Sequence, residues 1–316
     1  MLALMVQTTT GYRETAFTDL LNRRKTVLLD GGLATQLEAQ GCDISNDLWS
    51  ASLLQSNPAA IVLAHKAYLD AGADCIATAS YQASREGYAT LGLSASDADE
   101  LILLSVSLAK KARVETKSDA AIAASLGPYG AMLHDGSEYR GDYGVSSNTL
   151  LQFHASRLEI LDRSGADVLA LETIPSLQEA EVLADLLLEC KTPAWISFSC
   201  RDEQHVCDGT PIADVAALFA EHPTVVAVGV NCTPPQYVPS LVRIIKDVLP
   251  QKHVIAYPNS GEIYNAEDKS WSGTVTPVDV AAAALVWIAS GATVVGGCCR
   301  MGPEHIKAID NVIRKQ

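Results

Sequence analysis

Asp167-Val168-Leu169-Ala170-Leu171-Glu172-Thr173-Ile174-Pro175-Ser176-Leu177-Gln178-Glu179 holds, in thirteen residues, the unit from which the chain is built. Asp167–Leu171 is a continuous apolar run, the pattern of a strand covered on both faces. A polar pair, Glu172-Thr173, follows. Ser176 and Glu179 then stand in capping-box spacing ahead of an apolar stripe, which predicts a helix over Ser176–Cys190. Strand, polar strand end and helix N-terminus in sequence are the grammar of a parallel β/α fold.

The same run recurs along the chain. Towards the N-terminus the expected strands are Thr26–Leu29, Asp74–Ser80 and Ala121–Leu126; towards the C-terminus they are Ala194–Ser199, Val225–Val230, Val254–Tyr257 and Thr293–Val295. Helical patterns fall between them at Pro58–Leu69, Leu101–Arg113, Leu150–Arg163, Ile212–Glu221, Tyr237–Val248 and Val278–Ser290. Eight strands alternating with helices predict one closed α/β domain, a (β/α)8 barrel over residues 26–316, preceded by an N-terminal extension or helix at 1–25. The rival, an open doubly wound sheet, would carry a phosphate-binding glycine turn after its first strand, and Asp30-Gly31-Gly32-Leu33 is not one. Two long polar connections, 127–147 and 258–276, follow strands and so belong to the C-terminal rim, where barrels place their active sites.

Composition limits the functions available. A formal charge of −14 argues against nucleic acid or an anionic membrane as partner, since phosphate recognition needs clustered Lys and Arg. No span is long enough to cross a bilayer, and the apolar opening Met1–Val6 is too short for a signal segment, so a cytoplasmic protein is expected. Eight cysteines in a chain with 48% hydrophobic residues are not needed as staples; gathered together in a reducing compartment, they suggest metal binding or catalysis.

Chemistry concentrates at the strand ends. Gly229-Val230-Asn231-Cys232 ends the sixth strand and Gly296-Gly297-Cys298-Cys299-Arg300 the eighth. In a closed barrel these ends lie one strand apart, so three thiols can converge on a tetrahedral metal with its fourth position open. Gly296 and Gly297 are expected to supply the backbone bend. Spacing alone leaves the alternatives open: a vicinal Cys298–Cys299 disulfide, a redox switch, or small buried hydrophobes. Asp30 and Glu172, ending the first and fourth strands, are candidates for gripping an amine, against a plain role in capping or in pairing with Arg. Thr78-Ala79-Ser80-Tyr81-Gln82 is a similarly polar strand end. His134 and His205 are the histidines expected in rim loops, and no HExxH, Walker A, GxGxxG or GxSxG is found.

Taken in order with Tyr257-Pro258-Asn259-Ser260-Gly261-Glu262, these motifs resemble the homocysteine S-methyltransferases over nearly the whole chain. The resemblance implies a zinc ion on Cys232, Cys298 and Cys299, with Asp30 and Glu172 holding the amino group of L-homocysteine. It also implies that main-chain amides at Gly31 and Gly32 receive the carboxylate, and that Thr78, Tyr81 and Asn231 contact substrate. Gly127-Pro128-Tyr129-Gly130 and Glu138–Tyr143 look like the branch that uses S-methylmethionine, with S-adenosylmethionine the alternative donor. In that loop Tyr129, Tyr139 and Tyr143 stand near Asp135, Glu138 and Asp142, groups suited to an onium cation.

Overall fold

The computed structural model describes residues 11–44, 49–261, 263–265, 270–272 and 275–315; at 49, 263–265 and 270–272 only the backbone is described. The expectations placed on Met1–Val6 and Glu262 lie outside the described residues. Eight parallel strands follow the chain: β1 Val27–Leu28, β2 Cys75–Ala77, β3 Ala121–Leu126, β4 Val168–Ile174, β5 Ala194–Phe198, β6 Val225–Asn231, β7 His253–Tyr257 and β8 Val294–Val295. Each pairs with its successor from β2 to β8, and β8 pairs with β1 through Val27↔Val294. A bridge at Leu29↔Cys75 joins β1 to β2, with Asp74 N donating to Leu28 O at 2.7 Å and Asp30 N to Cys75 O at 3.0 Å. The ring is closed, and all eight expected strands are in it.

Helices lie outside the ring. The seven expected ones are present with shifted ends, for example Ala95–Thr116 and Ile212–Ala217. Leu33–Ala39 and Pro303–Ile313 were not foreseen. Both are capped by glycine, Gly32 and Gly302, so no side-chain acceptor marks their start in the sequence. The capping box expected at Ser176 is half formed. Ser176 Oγ accepts from Glu179 N at 3.3 Å, but the Glu179 carboxylate is wholly buried and accepts instead from Tyr129 N at 2.6 Å and Tyr143 OH at 2.8 Å, with His154 Nε2 at 2.7 Å.

Strand periodicity sorts the apolar residues into two bodies. Leu28, Ile122, Leu169, Ile196, Val228 and Val254 face the helices. Their alternates Val27, Leu29, Ala121, Ala123, Val168, Ala170, Trp195, Ala227, Ile255 and Val294 fill the lumen. Helix Ala16–Arg23 belongs to this second body, pressing Phe17, Leu20 and Leu21 against the lumen residues. The Phe17 ring lies 5.4 Å from the indole of Trp195. Phe17→Ala should therefore cost about 3–5 kcal/mol by removing a fully buried ring. Denaturant unfolding measures this; unchanged stability would show that the helix is not part of the fold's core.

Candidate active site

Continuing the same alternation upward puts Ser125, Glu172, Ser197, Asn231 and Tyr257 in one inward layer at the C-terminal end of the barrel, where they line a single cavity or bond its walls. They form one hydrogen-bonded chain. Glu172 accepts from Ser125 Oγ and, at 3.0 Å, from Tyr257 OH. Tyr257 OH also accepts from Trp195 Nε1 at 3.0 Å and meets Ser197 Oγ at 2.6 Å. Ser197 donates to Asn231 Oδ1 at 2.8 Å, and Asn231 Nδ2 donates to Thr173 Oγ1 at 2.8 Å and reaches towards Cys298 Sγ at 4.0 Å. Thr173 sits in the left-handed region, φ 64°, where β4 shifts register between Leu171 and Ile174.

Two buried carboxylates face this cavity. Asp30 and Glu172 are 5% and 9% exposed, and among the described residues neither joins an ion pair, so the pairing-with-Arg alternative is not realised. Asp30 Oδ2 accepts from Ala77 N at 2.8 Å. Burial, and then the charge of Glu172, hold the Asp30 carboxyl well above its usual range, with the Ala77 amide opposing. Burial raises Glu172 as well, against the hydrogen bonds from Ser125 and Tyr257. Two carboxyls in that state favour a cation between them.

The three thiols do converge. The candidate ligand atoms of Cys232, Cys298 and Cys299 lie within 4.8 Å of one another, from β6 and β8 across β7 as expected. The close pair is not the adjacent one foreseen as a vicinal disulfide: Cys232 and Cys298 have their sulfurs in direct contact, Cα atoms 5.6 Å apart, and Cys232 Sγ lies 3.7 Å from Cys299 Sγ. Tetrahedral zinc thiolates at about 2.3 Å require sulfurs about 3.8 Å apart, the spacing that Cys232 Sγ and Cys299 Sγ already have. Cys232 adopts φ 45°, a strained conformation of the kind held at functional sites. Without a cation, burial pushes the Cys299 thiol up to about 11.

The glycines act through space. Gly296 and Gly297 are not left-handed; a Cβ at Gly296 would lie 2.6 Å from Leu29 Cβ, and one at Gly297 2.6 Å from Met301 Cβ. Their role is close approach of strand ends, a correction to the expected bend. The Gly32 amide is likewise not available for a carboxylate, since it donates to Met301 O at 2.9 Å. Gly31 lines the cavity. Thr78 lines it too, but its hydroxyl is engaged by Ser80 Oγ at 2.7 Å and Ser125 N at 3.1 Å, which makes it a brace between β2 and β3. Tyr81 lines the cavity and is tied to Thr173.

From the loop after β3, Glu138 and Tyr139 reach the cavity wall. Tyr129 and Tyr143 do not: the Tyr129 ring packs on Tyr143 and on Phe153, with centroids 5.5 and 5.2 Å apart, and Tyr143 serves Glu179. Asp135 pairs with Arg140 at 3.3 Å and Asp142 is exposed. His134 and His205 are outside the cavity lining. Sequence reasoning missed Ser125, Ser197, Trp195 and Tyr257 as site residues, and it missed Arg157. That guanidinium is fully buried and donates to Tyr81 O at 2.7 Å, Gly127 O at 2.9 Å and Ala83 O at 3.0 Å, fastening the β2 and β3 loops together.

This geometry has close parallels. The model of the family described as homocysteine S-methyltransferase matches residues 27–313. A Bacillus subtilis protein named homocysteine S-methyltransferase YbgG is 47% identical over 300 residues, covering 92% of this chain and 95% of that one. The Escherichia coli homocysteine S-methyltransferase is 44% identical, with 92% and 96% covered. The solved structure of the Escherichia coli homocysteine methyltransferase MmuM in a form titled metallated superposes with a TM-score of 0.84 at 41% identity, covering 94% of this chain and 99% of that one. With the family's model matched from the first barrel strand to the last helix, the chain belongs to the homocysteine S-methyltransferases, and is an enzyme of that class.

Proposed function

We propose that this methyltransferase uses zinc held by Cys232, Cys298 and Cys299, and takes its methyl group from a sulfonium donor, S-methylmethionine ahead of S-adenosylmethionine. The observation that carries the reading is the convergence, in one cavity, of three thiols with two buried carboxyls that lack a cationic partner among the described residues. Zinc on three thiolates supplies ionisation of the acceptor sulfur at neutral pH, where a free thiol, ionising near about 8.5, is mostly protonated.

The remaining roles fall to the chain's own groups. Asp30 and Glu172 hold the ammonium of homocysteine, and the charge of that ammonium relieves the repulsion between them. The Gly31 amide and the first turn of helix Leu33–Ala39 face its carboxylate; Gly32 drops out because its amide is engaged. Asn231 steadies the cluster through Cys298, and Trp195 with Tyr257 makes the floor. The acceptor thiol's proton leaves to solvent. The acceptor sulfur's electron pair then forms the new bond to the methyl carbon as the bond from that carbon to the donor sulfur breaks. The pair from the broken bond stays on the donor sulfur, so the sulfonium becomes a neutral thioether. A neutral leaving group needs no acid, in keeping with a cavity lined by no histidine among the described residues. Alignment of the three atoms supplies much of the rate. A cytoplasmic setting, which keeps thiols reduced, suits this chemistry.

The donor order rests on the Gly127–Tyr143 loop. Steady-state rates with S-methylmethionine, S-adenosylmethionine and betaine at equal concentration, with zinc content measured on the same sample, test it. S-methylmethionine should be fastest and betaine inactive. A preference for betaine would overturn the branch, and parity with S-adenosylmethionine would show that the loop admits an adenosyl group.

A further inference from the structure

Glu138 is a buried acidic side chain with one carboxylate oxygen unused among the described residues. It is 8% exposed, and its Oε2 is buried without a hydrogen-bond partner among the described residues. It lies in the wall of the cavity that contains the thiols, with Tyr81, Tyr139 and Cys299 also in that wall. The nearest cation in sequence, Arg140, turns away to Asp135 at 3.3 Å. The backbone carrying Glu138 is fixed: Ser199 Oγ donates to Glu138 O at 3.1 Å, Gly141 N and Arg140 N close the turn on Ser137 O at 2.8 and 2.9 Å, and Gly130 packs so closely that a Cβ there would meet Glu138 N at 2.5 Å. Burial, and secondarily the charge of Asp135, raise its carboxyl above the usual range. An anchored, desolvated carboxylate with an unused oxygen is a binding group awaiting a cation.

We infer that Glu138 receives the α-ammonium of the methyl donor, so that the amino-acid end of the donor is recognised separately from that of homocysteine. This rests on the sulfonium donor proposed above. Such a donor carries two positive charges that behave differently. The sulfonium charge vanishes during transfer, so a carboxylate placed on it would stabilise the ground state more than the transition state and slow the reaction. The ammonium charge persists throughout. A carboxylate on it strengthens binding equally before and during transfer, and so lowers KM without altering kcat. Asp30 and Glu172 are assigned to the acceptor, which leaves Glu138, on the loop side of the described cavity wall, as the carboxylate with an oxygen to spare.

The test is Glu138→Gln, which keeps the shape and removes the charge. With homocysteine saturating, KM for S-methylmethionine should rise about 10- to 100-fold while kcat stays within about threefold. KM for homocysteine, zinc content and melting temperature should not move. A second donor separates charge from packing: the des-amino analogue of S-methylmethionine, which keeps the sulfonium and carboxylate, should be used equally by wild type and variant. An unchanged donor KM, a matching rise in homocysteine KM, a fall confined to kcat, or an equal penalty on the des-amino donor would each overturn the assignment. Failure of the donor reading is visible separately, as absence of S-methylmethionine turnover by the wild type. The same comparison is then made with S-adenosylmethionine, which bears the same ammonium, and the same criteria apply.

Discussion

Replacing any one of Cys232, Cys298 and Cys299 by serine should abolish methyl transfer and lower zinc content while leaving the barrel folded. A hydroxyl is a far weaker ligand than a thiolate for a soft-leaning ion. Changes one layer out from a metal typically cost 10–100-fold, so loss of a direct ligand should exceed that, on the order of 10³-fold. The fold should survive because the sulfurs lie at the rim, while the lumen core below and the larger core between strands and helices are separate bodies of apolar side chains. Metal analysis, thermal unfolding and single-donor rates on each variant check all three parts. Full activity in any one variant would remove that cysteine from the site, and collapse of the fold would make the cluster structural.

Glu172→Gln should act on the other end of the acceptor. The variant keeps an acceptor for one of Ser125 and Tyr257 and offers an amide N–H to the other, but leaves the homocysteine ammonium short of a charge in a desolvated pocket, a loss of about 2–5 kcal/mol, or roughly 30-fold and upward in KM. Zinc content should be intact. The pH dependence follows from the direction of the shifts. Burial raises both Asp30 and Glu172, so the ionised forms that grip an ammonium are complete only above those raised values, and affinity for homocysteine falls as pH drops through them. In the wild type, homocysteine KM should therefore climb on the acid side at a pH above that where an ordinary glutamate titrates. In Glu172→Gln the part of that limb due to Glu172 should vanish, leaving the part due to Asp30. Zinc loss in this variant, or an unaltered homocysteine KM, would assign Glu172 to structure.

What the sequence discloses here depends on how each residue announces itself. The strands were readable because runs such as Ala121–Leu126 are apolar on both faces, and the rim was readable because Asp30, Glu172, Cys232 and Cys298 break those runs at their ends. The same two-sided burial hides Ser125, Ser197 and Tyr257. When both faces of a strand are apolar, alternation carries no signal, and nothing in Ala194–Phe198 says which residues point inward. Fixing one of them, Trp195 in the lumen, fixes Ser197 with it and by pairing fixes Asn231 and Tyr257. Arg157 is hidden for a different reason. A lone arginine on a helix reads as surface charge, and only the closing of two loops over it shows all three guanidinium nitrogens spent on carbonyls. The glycines illustrate a limit of another kind: Gly296 and Gly297 were recognisable as special, but crowding and torsion look alike in a one-letter string.

Helix Ala16–Arg23 stoppers the barrel from below, with Phe17 beneath the indole that floors the cavity. A vessel closed at its base has its doorway at the rim. Reactants arrive, and products depart, through the rim between the loops that follow the strands. Traffic through that doorway is necessarily sequential for whatever lies deepest, so departing product and incoming acceptor contend for the same passage.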